Sequence, residues 1–342
     1  MATKPYYLLT AIFVLLLSFA PLNVLAVSPH CAEEITECHN RAEALKMKII
    51  AIVSILVMSM IGVCLPLFSH KVPALQPDKN LFVVIKAFAS GVILATGYMH
   101  VLPDSFNDLN SECLPEKPWR NFPFTTFVAM LSAIVCMMLD SFSMSRYRKS
   151  FDRGATNGDV VVHPGHGHEM KIEEGAYTKE EQLVRHRVVA KVLETGIVVH
   201  SVVIGLSMGT SENPCTIKPL IAAICFHQLF EGMGLGGCIL QAEFKSKMKV
   251  IMVFFFSCTT PFGILLGIAL DHVYSANRPT SLIVEGLLNA CSAGLLNYMA
   301  LVDLLAADFM SPRLQANMKL QVWSYIAVLL GAGGMSVMAI WA

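Results

Sequence analysis

The sequence predicts an all-α integral membrane protein, and three observations carry that prediction. Only 15% of its 342 residues are charged while 55% are hydrophobic, against roughly 25% charged in a soluble domain. Mean hydropathy is +0.59. Apolar runs of about 20 residues, the length needed to cross a bilayer core, recur eight times: 49–68, 82–102, 124–142, 188–208, 217–240, 250–270, 282–304 and 322–341. Formal net charge is zero and no basic stripe interleaves with aromatics, which excludes a nucleic-acid partner and leaves the lipid bilayer as the surrounding medium.

The first apolar run of the chain is a targeting segment rather than a span. Lys4 precedes an apolar core over 8–20 and the small-residue pattern Val24-Leu25-Ala26, so residues 1–26 read as a signal peptide cut after Ala26. An uncleaved anchor is the alternative. Residues 27–48 then form an extracellular segment in an oxidising space, where Cys31 and Cys38 can pair, with Cys113 as a rival partner. Cys64, Cys136, Cys225, Cys238, Cys258 and Cys291 lie in apolar runs and read as packing residues. Residues 49–342 make one eight-helix domain.

Orientation follows from basic residues in the loops. With the N-terminus outside, the inner loops hold fifteen Lys and Arg and the outer segments seven, so both termini are expected outside. The segment 143–187 is then a flexible cytoplasmic loop. It contains "HPGHGHE", in which His163, His166 and His168 stand close enough to share a divalent ion, with an idle polar loop as the alternative.

Polar residues inside the spans need a reason, because a carboxylate at the bilayer centre costs about 2.5–3.5 kcal/mol on insertion scales. The fifth span holds "FHQLFEGMGLGG", where His227 and Glu231 are four apart and share one helix face. The fourth holds "VVHSVVIGLSMG". Counted from the span ends at about 1.5 Å per residue, His200 lies roughly 18 Å above the cytoplasmic side and His227 roughly 15 Å below the outer side. They are expected to meet near the midplane, with Glu231 opposite Gly196. The small face Ser201, Gly205 and Gly209 would let the neighbouring helix come close enough for His200 to reach across. Two imidazoles and a carboxylate suit Zn²⁺, and suit Fe²⁺, Mn²⁺ or Cd²⁺ nearly as well. A hydrogen-bonded cluster with Glu231 protonated is the alternative.

Two further places attract notice. His100 and Asp104, four apart at the outer end of the second span with Asp108 and Glu112 beyond, mark an entrance or an ordinary helix end bent by Pro103. In the seventh span Glu285 is a pathway candidate. Asn289 and Asn297, beside the small ladder Gly286, Ala290 and Gly294, read as packing residues.

At "HSVVIGLSMG" (200–209), "HQLFEGMGLGG" (227–237), "FASGVILATGYMHVLPDSF" (88–106) and "EGLLNACSAGLLNYMALVDLLAADF" (285–309) the sequence resembles the ZIP family of divalent metal transporters, most closely its plant iron-regulated branch. The resemblance implies helices one to three and six to eight as inverted repeats around four and five, a homodimer, and metal moving toward the cytosol through a site at His200, His227 and Glu231. It implies a substrate ion, zinc first and iron next, and no other cofactor. Where two-metal members carry an amide and two acids, this chain has Ser201, Ile204 and Gln228, so a single ion is expected. Plasma membrane is the expected location. The rival class is an intramembrane metal hydrolase, since the same three ligands with an open position activate water. No H-E-x-x-H pattern accompanies them, so no enzyme is expected.

Overall fold

The computed structural model describes residues 40–69, 79–156, 179–270 and 279–338. Eight of its helices are long and apolar enough to span a membrane. They are α1 (Arg41–Ser69), α2 (Asn80–Leu109), α3 (Phe124–Thr156), α4 (Lys179–Thr210), α5 (Pro214–Gln241), α6 (Ser246–Leu270), α7 (Pro279–Phe309) and α8 (Met318–Met338). Each coincides with one expected apolar run, and most extend past it at the polar ends, because a helix does not stop where the hydrocarbon does. α3 runs on to Thr156 and α4 begins at Lys179, so helix takes in 143–156 and 179–187 of the expected loop. The proposed signal peptide, Cys31, Cys38, and the loop histidines His163, His166 and His168 lie outside the described residues.

Local chemistry sets several helix starts. Asn40 accepts from the Glu43 amide at 3.1 Å and caps α1. Asn213 accepts from the Cys215 amide at 2.9 Å, and Pro214 occupies the first turn of α5, where a missing N–H costs nothing. Arg41 pairs with Glu212 at 3.3 Å, so α1 starts on the same side as the α4–α5 turn.

Burial divides the bundle into two rings. The best-spanning windows of α5, α2, α4 and α7 are 67%, 61%, 61% and 56% buried, while those of α6, α1, α8 and α3 are 44%, 33%, 28% and 22%. The first four form the interior and the others face outward, showing Phe254, Phe262, Trp323, Leu329 and Leu330 to the lipid side. The main pairings are α1 with α5, α4 with α6, α2 with α7, α2 with α8 and α3 with α7. Exchanging one with six, two with seven, three with eight and four with five returns the same set. That is the pairing pattern of an inverted repeat.

Two features of this packing position the site. Both α2 and α7 contain a π-helical stretch, at Thr96–Val101 and Met299–Ala306, and so share a feature under the same exchange. The small face of α4 meets α6 rather than α5. A β-carbon on Gly209 would lie 2.5 Å from the Ile264 carbonyl oxygen and 2.7 Å from Gly267, so these two backbones touch where only glycine fits. The close neighbour expected at Gly205 and Gly209 is therefore α6, so this face does not bring α5 to His200.

Candidate metal centre

His200 on α4, His227 on α5 and Glu231 one turn further along α5 are all buried, at 1%, 2% and 0% exposure. The two imidazole rings lie 5.5 Å apart, centroid to centroid, and nearly perpendicular. Nε2 of His227 stands 3.1 Å from Oε2 of Glu231. The structure therefore brings the three side chains together as depth arithmetic expects. Gly196 is not opposite Glu231, however; the space beside it is taken by Leu295 and Leu296, and its carbonyl accepts from the Ser292 hydroxyl at 2.8 Å.

A third imidazole joins them. His100 is 6% exposed, and its ring lies 5.4 Å from that of His200 and 5.9 Å from that of His227. The sequence places it at an outer entrance, and the structure places it in the cluster. α2 continues through Pro103 to Leu109, which sets His100 about 13 Å inside the helix end, and the π stretch around it widens the turn that carries its side chain. Asp104 remains near the outer surface, with Oδ2 3.7 Å from His100 Nδ1.

The unmet hydrogen bonds say what this cluster can do. Both nitrogens of His200, Nε2 of His227 and both carboxylate oxygens of Glu231 are buried without a hydrogen-bond partner. Thr96 donates to the Val92 carbonyl at 3.0 Å, leaving its oxygen to face Nδ1 of His227 at 3.4 Å. With Nδ1 as the protonated nitrogen, the Nε2 lone pair faces the carboxylate. Two lone pairs so placed call for a cation between them. The rings pack edge to face, and among the described residues no three His, Cys, Asp or Glu side chains are placed so that they could hold a metal ion as they stand. Side-chain rotation is needed to close on an ion.

Around the cluster, Gln228 donates to Ser59 of α1 at 3.2 Å, and Ser201 is buried with an unbonded hydroxyl. Outward, Asp104, Asp108, Glu285 and Asn289 occupy the facing ends of α2 and α7, where Asn289 donates to Asp108 at 3.5 Å and Ser105 to the Gly286 carbonyl at 2.7 Å. Glu285 is 7% exposed.

At the opposite end of the bundle from Asp104 and Glu285, a cavity of about 1010 Å³ is lined by Lys86, Arg185, His186, Gln241, Asp303 and Asp308, among others. Arg185 pairs with Asp303 at 3.1 Å and Lys86 with Asp308 at 2.9 Å. Sequence reasoning missed these pairs, although Lys86 and Asp303 lie inside apolar runs, where an ionisable residue is itself a signal. Cys113 is disulfide-bonded, and so is Cys215, which the sequence reading placed in no pair.

The sequence profile of the ZIP zinc transporters matches residues 45–339. The chain is 58% identical to Fe(2+) transport protein 1 of Oryza sativa over 340 residues, which cover 94% of this chain and 91% of that one. It is 54% identical to zinc transporter 7 of Arabidopsis thaliana over 99% of both chains, and 55% identical to Fe(2+) transport protein 1 of the same plant over the whole of both. The reach of the profile and of these relatives, across a bundle of eight spans, settles the classification: the chain belongs to the ZIP zinc transporter family.

Proposed function

We propose that this protein carries divalent metal ions across the membrane toward the cytosol, with His200, His227 and Glu231 as the transport site and His100 as an additional imidazole on its outer side. The observation that carries the reading is the buried carboxylate of Glu231, unbonded at both oxygens beside the His227 imidazole. A cation offsets the burial of that charge, and three protein ligands leave a position open for release. The hydrolytic alternative draws no support from relatives named as transporters.

Asp104, with Asp108 and Glu285 near it, collects the ion at the outer end. The cluster binds it, and movement of the surrounding helices opens the path to the cavity on the cytoplasmic side; the loop histidines His163, His166 and His168 then receive it. Relatives named for iron and for zinc frame the substrate as Zn²⁺ or Fe²⁺, and the donor set accommodates both. Inward movement of a divalent cation gains roughly 4.6 kcal/mol per 100 mV with the cytosol negative. The disulfides at Cys113 and Cys215 support placing the outer loops, and with them the N-terminus, on an oxidising side. A cleaved segment 1–26, a homodimer and the plasma membrane complete the reading.

Uptake of Zn²⁺, Fe²⁺, Mn²⁺ and Cd²⁺ in cells making the intact chain or His227→Ala at matched surface levels tests it. The reading stands if intact cells accumulate one or more ions and the variant none. It fails if neither accumulates any.

A further inference from the structure

Asn289 lies between the outer acids and the histidines. Its Nδ2 donates to Oδ2 of Asp108 at 3.5 Å, and because a carboxylate only accepts, the carbonyl end of the amide points away from Asp108. Asn289 is 4% exposed, and its Oδ1 makes no hydrogen bond of normal geometry although the His200 ring is close to its side chain. Helix register says where that oxygen sits. Ser292, one turn inward on α7, bonds the carbonyl of Gly196, one turn inward of His200 on α4. Asn289 is therefore level with His200, and its side chain interacts with that imidazole. A buried amide oxygen without a donor is costly unless a proton or a cation meets it.

The geometry points to Asn289 as a metal ligand and selectivity residue, whose Oδ1 adds a hard oxygen donor beside His200 as an ion passes from the acids to the imidazoles. The inference rests on the transport reading above. Zinc is satisfied by four ligands, whereas Mn²⁺ and Fe²⁺ take five or six and favour oxygen. Asn289 therefore tilts the site toward the latter two.

The test compares uptake of Mn²⁺, Fe²⁺ and Zn²⁺ below saturation by the intact chain, Asn289→Leu, Asn289→Ala and Asn289→Asp, at matched surface levels. His227→Ala is carried alongside. Leu keeps the volume and Ala serves if Leu does not reach the surface; both remove the oxygen, and Asp retains one. The expected result is Mn²⁺ and Fe²⁺ uptake lowered about tenfold in the Leu or Ala variant, as for other groups that support a metal site, with Zn²⁺ little changed and the Asp variant keeping the wild-type ratio. Equal loss of all three ions, an unchanged ratio, or an intact chain that moves zinc alone overturns the inference. If the intact chain moves no ion, the transport reading itself has failed and the inference falls with it.

Discussion

The ring of His100 meets the ring of His200 edge to face, with centroids 5.4 Å apart and planes at 89°. A residue of α2 thus shares the cluster built by α4 and α5. His100→Ala should raise the apparent KM for uptake about tenfold or more, at unchanged surface level. Asp104→Asn, altering a side chain that is 39% exposed, should raise it less. Equal effects of the two variants would return His100 to the entrance.

Glu231→Gln separates charge from shape. The amide nearly matches the carboxylate in volume but brings no negative charge to the ion, so uptake should fall at least about tenfold, within the loss seen when metal sites are disturbed. The same change removes a buried charge with no hydrogen-bond partner, so the purified protein should melt no lower than the intact one. Normal uptake, or a marked drop in melting temperature, would contradict this account of Glu231.

Gly209 tests the seam between α4 and α6. A methyl group there meets the backbone of Ile264 and Gly267, and the overpacking should cost about 1–3 kcal/mol, read as a lower melting temperature and reduced surface level. Gly237→Ala is the control. Nothing lies within 4 Å of its added carbon, and it should be neutral.

Breaking the Arg185–Asp303 pair from one side strands a carboxylate that is 2% exposed. Arg185→Ala should cost about 3 kcal/mol, the lower part of the range for buried pairs losing one partner. The double variant Arg185→Ala with Asp303→Asn should recover much of that. A double variant as unstable as the single one would show that Arg185 acts through other partners.

What was legible in the sequence follows the physics of each signal. Run length reveals spans because bilayer thickness fixes it, but not their ends, which protrude into water. The pairing of His200 with His227 and Glu231 was readable because helical rise turns sequence position into depth. His100 was not, since a π stretch has no compositional mark and Pro103 reads as a stop although the helix passes through it. The small face of α4 announced a close neighbour without naming it: Gly205 and Gly209 serve α6. Asn289 read as packing because an asparagine's role depends on which end of its amide lacks a partner, and only coordinates show that. No internal repeat stood out in the sequence, yet the two π stretches carry Tyr98-Met99 and Met299 just after Tyr298, too short a match to notice before the helix pairings expose the symmetry.

The cavity lined by Lys86 and Arg185 has an electrical consequence. Its volume of about 1010 Å³ has room for tens of waters, so a high dielectric reaches into the bundle from that end. With that cavity facing the cytosol, as proposed, the membrane voltage drops mainly over the drier layer between its water and the carboxylates of Asp104 and Asp108. The field across the histidine cluster is steeper in proportion, and most of the electrical work on a crossing ion is done within that layer.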